Sequence, residues 1–191
     1  MKYFGRPLIA LAVSYGAWVI WHEGIWMISE RHTWYFLFNA LDLGLHEAGH
    51  FLFLPLVWFS DGAEWAKFMN VFGGSLTQWA VPALCMSYFL WSKQWFAAAV
   101  VLFWLGQSFH SSVLYIGDAR DMVLPLLGGE GSGHDWNYLL HQMGVLYKEK
   151  EVAAVVEKFS HILVMISAVS AWGFWLFGLF PKHRKKLSAS T

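Results

Sequence analysis

The sequence predicts an all-α integral membrane protein of five transmembrane helices, with a short re-entrant or interfacial helix before the last span. Three observations predict it. Only 14% of the 191 residues are charged and 57% are hydrophobic, whereas soluble domains carry roughly 25% charged residues. The charges are gathered into short segments between long apolar runs, several of which reach the roughly 20 residues that a helix needs to cross a bilayer core. Thirteen tryptophans are a heavy load, as expected where indoles sit at the two membrane interfaces.

Taken in order, the first apolar run covers 7–29 behind Lys2 and Arg6, which resembles the start of a signal peptide. It lacks a small-x-small cleavage site and continues for the length of a span, so it reads as a retained first helix. His22-Glu23 interrupts it, most plainly as a polar kink near the interface and otherwise as a proton relay or gate near the site. The second run covers 33–59. The third covers 71–91, opens with Gly73-Gly74-Ser75 and contains Pro82. The fourth covers 94–116, and its last turns are polar, with Gln107, His110, Ser111 and Ser112. The fifth covers 159–180 and is followed by Lys182-His183-Arg184-Lys185-Lys186, which argues for a cytoplasmic C-terminus. Five spans then put the N-terminus outside; a sixth crossing over 122–146 would place both ends inside.

The segment 117–158 breaks the pattern. Asp118 to Asp121 is polar, Met122 to Leu127 is apolar, and Gly128 to Gly133 reads as a flexible linker. Ser132 or Asp135 is placed to cap a helix reaching about Tyr147, because Trp136, Leu139, Leu140 and Met143 recur at helical spacing. That helix is too short to span, so it is expected to be re-entrant or interfacial. Residues 148–158 read as an exposed, charged continuation into the last span. Neither a repeat nor a second domain is visible, so 1–191 reads as one polytopic domain.

Lys and Arg together number 13, as do Asp and Glu, so no basic surface points to nucleic acid. The partner that composition implies is the lipid bilayer. Cys85 is the single cysteine; it excludes an intrachain disulfide and argues against a cysteine-based metal site.

The chemistry is concentrated in His46-Glu47-Ala48-Gly49-His50, inside the second apolar run. Histidines four apart project from one helix face, so both imidazoles reach one metal ion. Glu47 stands where metallopeptidases carry the carboxylate that takes a proton from the attacking water. Ionisable groups at membrane depth are costly, which makes them functional candidates; the plain alternative is a polar helix–helix contact. Asp42 lies four residues before His46 on the same stripe. It is expected to hold an imidazole tautomer from behind, or else to hydrogen-bond a neighbouring span.

A catalytic tetrahedral site needs a third protein ligand, and the candidates are Asp118, His110, Asp121, His134 and Asp135. Each has a structural alternative: His110 as a hydrogen-bonder within the bundle, Asp118 or Asp121 as a carboxylate paired with Arg120, and Asp135 as a helix cap. Gly73 and Gly74 allow close helix approach. In a functional reading, Gly73 to Gln78 is an extended backbone edge, with Gln78 bonding a substrate. His141 and His161 read as exposed or interfacial.

With these residues in view, the chain resembles the site-2-protease family of intramembrane zinc metallopeptidases, in its compact bacterial form. The resemblance is carried by Leu45-His46-Glu47-Ala48-Gly49-His50-Phe51 and, more loosely, by Gly73-Gly74-Ser75-Leu76-Thr77-Gln78, and it covers roughly residues 33–146. In that family a glycine-rich segment with an Asn follows the zinc helix, and Gln78 stands near that place. The family's third ligand is an Asp within a Leu-Asp-Gly pattern, which does not occur here. Tyr115-Ile116-Gly117-Asp118-Ala119-Arg120, followed by Leu124-Pro125-Leu126, is the nearest counterpart; it makes Asp118 the first choice and His134-Asp135-Trp136 the close competitor.

The resemblance implies an intramembrane endopeptidase of the bacterial inner membrane, acting on a membrane protein or peptide. His46, His50 and Asp118 would hold Zn2+, Glu47 would be the general base, and Gly73, Gly74 and Gln78 would meet an unwound substrate. Two other classes stay open. The missing Leu-Asp-Gly suits a catalytically inactive metal-binding or scaffold protein. A metal or proton transporter would use Asp42, His46, His50 and His110 as a polar pathway.

Overall fold

The computed structural model of the chain describes residues 5–23, 31–124 and 133–179. Their regular structure is entirely helical: α1 (Gly5–His22), α2 (Thr33–Phe59), α3 (Glu64–Trp91), α4 (Trp95–Gly117), α5 (Asp135–Gln142), a 3-10 turn (Leu146–Lys148) and α6 (Glu149–Leu179). The five long helices fall on the five apolar runs. Two stretches, Trp95–Gly117 and Leu146–Gly178, are long and apolar enough to cross a membrane, where composition predicts five. In α2 and α3 the difference comes from polar residues: α2 carries Asn39, Asp42, His46, Glu47 and His50, and α3 carries Glu64, Lys67, Asn70 and Gln78. The outer surface is nonetheless strongly apolar, with Phe51 73% exposed and Phe59 and Trp91 each 89% exposed.

Helix α4 is central, packing most extensively on α6 and also against α3, α1 and α2; α2 pairs with α3, and α1 with α6. Small residues allow this. A Cβ added to Gly106 on α4 would lie 2.7 Å from a Val164 methyl on α6. Ser160 and Ser167 of α6 donate to the α4 carbonyls of Gly106 (2.7 Å) and Ala99 (2.6 Å). Such hydrogen bonds and close backbone approach hold helices together where apolar burial alone discriminates poorly.

Three boundaries differ from expectation. Helix α3 begins at Glu64, not 71, because a tight reversal through Asp61 (φ 50) and Gly62 (φ 75) lets the chain re-enter a helix within four residues of Phe59. Gly73 to Gln78 is therefore helix interior and not an extended edge. Helix α5 stops at Gln142, short of Tyr147, because Gly144 takes φ 70 and Val145 N–H returns to Leu140 O at 2.9 Å. The charged stretch 149–158 is the start of α6 itself, a single helix of 31 residues. Part of the expected first span (24–29), most of 122–133 including Ser132, and the basic tail 182–186 lie outside the described residues.

Helix α5 is short but firmly seated. Trp136, Leu139 and Leu140 are buried against Val113, Ile116 and Ala119 at the end of α4 and Ala153 of α6. Burial of side chains of this size stabilises by roughly 1.5–3 kcal/mol each. This anchoring fixes the residue at the helix start, Asp135, over α2.

Candidate metal centre

His46 and His50 project from one face of α2, with ring centroids 4.8 Å apart. Asp135 comes down onto them from α5: its Oδ2 lies 2.8 Å from His46 Nε2 and 3.2 Å from His50 Nε2. One ligand atom from each of the three lies within 4.8 Å of the others, so the group could hold a metal ion; two imidazoles and a carboxylate are donors of the kind that zinc takes.

The tautomer of His50 supports the fit. Its Nδ1 lies 3.0 Å from the Asn70 carbonyl, which can only accept, so Nδ1 carries the proton. Without a metal, Nε2 can then donate to Asp135 only from the imidazolium; the neutral ring leaves its Nε2 lone pair available to a cation. Asn70 closes the contact by donating its Nδ2 to His50 O at 2.6 Å. Such outer partners orient metal-binding imidazoles. Burial alone would raise the Asp135 carboxyl, but the hydrogen bonds from His46 and His50 outweigh it and hold the group down at about 2.

Glycines make the room. A Cβ on Gly74 would lie 2.7 Å from Nε2 of both His46 and His50, and one on Gly49 would run into the Gly73 carbonyl. The glycine segment thus serves α2–α3 packing and clears the space in which the ring nitrogens meet. Asn70 and Gly74, four residues apart, lie on one face of α3 toward this region.

Asp118, first choice by sequence for the third ligand, is outside the group. It follows α4 directly, and its carboxylate accepts the backbone N–H groups of Val123 and Leu124, both at 3.0 Å. The caps are likewise rearranged. His134, not Asp135, caps α5, its Nδ1 accepting from Asn137 N–H at 3.2 Å. Its Nε2 lies 3.4 Å from Asp118 Oδ2, its ring packs 4.2 Å from that of Tyr115, and burial pushes its pKa below the usual imidazole value. Asp135 is thereby released from capping, and its N–H donates to Tyr115 Oη at 3.0 Å. Asp121 is exposed beside Arg120 and Lys150.

Other positions also differ. Asp42 does not hold an imidazole: it is 1% exposed and accepts from Ser108 (2.7 Å), Trp104 (3.1 Å) and Ser111 (3.3 Å), all on α4. The side-chain nitrogen of Gln78 donates to Ser108 O (3.0 Å) and Ser111 Oγ (2.9 Å), so Gln78 ties α3 to α4. His110 turns to Tyr35, its Nδ1 2.7 Å from the hydroxyl. Asp42, His46, His50 and His110 therefore do not form one hydrogen-bonded path.

Glu47 is half-buried on α2, near enough to His50 and Tyr115 to act on both electrostatically. Asn70 and Tyr115, which contact His50 and Asp135 at this centre, are positions that sequence reasoning missed. The four-residue spacing of Asn70 from Gly74 would have marked the first; Tyr115 had no such signal, because its role depends on where α5 docks. Comparison with protein-family models, with curated proteins and with solved structures finds no match to the chain.

Proposed function

We propose that the chain is a membrane-embedded zinc endopeptidase that hydrolyses a peptide bond in or near the bilayer. The observation that carries the reading is the convergence of His46, His50 and Asp135 beside Glu47. His46 and His50 hold the ion through Nε2 and Asp135 through its carboxylate, so the third ligand is assigned to α5 and not to Asp118. Zinc, when bound, supplies polarisation of the scissile carbonyl and a lower pKa for the attacking water.

Glu47 takes the proton of the water whose oxygen attacks the carbonyl carbon. As the C–N bond breaks, it delivers that proton to the leaving amine. Asn70 fixes the His50 ring, and Tyr115 positions the start of α5 through the Asp135 N–H. The apolar outer surface and the two helices of spanning length support a membrane setting, which makes membrane proteins and hydrophobic peptides the natural substrates.

The test is a pair of measurements on the purified full chain in detergent: zinc content, and turnover of a mixture of fluorogenic hydrophobic peptides. Glu47→Gln should keep stoichiometric zinc and lose at least about 100-fold in turnover, the low end for removal of a general base. Equal turnover in Glu47→Gln would sink the peptidase reading. Stoichiometric zinc with no turnover in the wild type would favour the inactive metal-binding protein.

A further inference from the structure

A second group of metal-ligand side chains lies away from the first, on the other side of α4. His110 of α4 and Glu157 and His161 of α6 each place a ligand atom within 4.8 Å of the others. Glu157 and His161 are four apart on one helix face, the same device that presents His46 and His50. Among the described residues, no hydrogen bond joins any two of the three, although their polar atoms converge.

Both imidazoles are held from behind. His110 Nδ1 lies 2.7 Å from the Tyr35 hydroxyl, which can accept its proton. His161 Nε2 lies 3.1 Å from the Ile20 carbonyl, which can only accept, so that nitrogen carries the hydrogen and Nδ1 carries the lone pair. This is the outer arrangement expected of metal-bound histidines. Tyr35 precedes His46 by eleven residues of α2, about 16 Å of helix rise, so the two groups sit at different levels of the bundle.

We propose that His110, Glu157 and His161 form a second divalent-metal site. Two imidazoles and one carboxylate suit zinc or a similar transition ion over calcium or magnesium. The ion joins α4 to α6, while Ile20 of α1 and Tyr35 of α2 orient its ligands, so four helices share one fastening point. The proposal does not rest on the peptidase reading.

The full chain, stripped with chelator in detergent, is titrated with Zn2+ and then with Co2+, whose absorption reports ligand geometry. The expected result is one equivalent that survives Asp135→Ala and disappears in both Glu157→Gln and His161→Gln. The His161→Gln side chain can still donate to Ile20 O, so unchanged helical content there separates loss of a ligand from loss of fold. Absence of any equivalent with that pattern overturns the site. Loss of the other equivalent in Asp135→Ala concerns the first centre alone.

Discussion

Asp135 Oδ2 sits 2.8 Å from His46 Nε2 across 89 residues of chain. The contact joins the start of a helix of only eight residues to the middle of one of 27. Its precision derives from what flanks it. Trp136, Leu139 and Leu140 lock α5 from below, and His134 supplies the cap that Asp135 would otherwise provide.

Asp135→Ala should therefore remove zinc from the first centre. Its loss in affinity should exceed the roughly 10–100-fold that follows loss of an outer-shell partner. Asp118→Asn should leave zinc at that centre in place, because Asp118 holds Val123 and Leu124 and no ring of α2. Metal analysis of the two purified variants decides it; zinc lost in Asp118→Asn and kept in Asp135→Ala would reverse the assignment.

Gly74→Ala tests the steric part of the site. The new methyl would stand 2.7 Å from both ligand nitrogens, so either the rings rotate or α3 withdraws from α2. Zinc binding at the first centre should fall sharply while helical content persists. Gly44→Ala on α2 meets nothing within 4 Å and should be neutral, or stabilising by up to about 1 kcal/mol through helix propensity. Normal zinc affinity in Gly74→Ala would show that the glycine is not needed for clearance.

The two histidines and Glu47 were legible because helical periodicity is local: spacing alone puts them on one face. The carboxylate that meets them was not, because it arrives from another helix, and what leaves Asp135 free to do so is the competition for each carboxylate at the turn after α4. Asp118 is taken by two backbone N–H groups, which no spacing rule reveals. For Asp42 spacing left an imidazole and a neighbouring span as alternative partners, and for Gln78 it did not fix the partner, for a related reason. Helix α4 presents Ser108 and Ser111 to both, and hydrogen bonds to a neighbouring span satisfy them there.

Asp42→Ala follows from that packing. It would leave the donors of Ser108, Trp104 and Ser111 facing a void, at about 1–3 kcal/mol per buried group left unpaired. Thermal unfolding in detergent should show a clear drop in stability, while the molecules that remain folded bind zinc with near-normal affinity. Selective loss of zinc without loss of stability would instead place Asp42 behind an imidazole.

Acidity should release zinc from the first centre through the imidazoles alone. The Asp135 carboxyl, held down at about 2, stays ionised in the metal-free protein at every pH above that value. Because its pKa is depressed on folding, its pairing contributes stability that is fully present above about 3.9, the ordinary carboxylate value, and is lost as pH falls through about 2. Zinc therefore competes with protons only at His46 and His50. Affinity should fall as pH drops, because both imidazoles must be free of a proton at the nitrogen that binds the ion, by up to about 100-fold per pH unit where two protons are displaced. Chelator-competition titrations between pH 4 and 8 measure this slope. If affinity stayed flat through the imidazole range and dropped only near pH 4, the metal would be held by carboxylates, and His46 and His50 would not be its ligands.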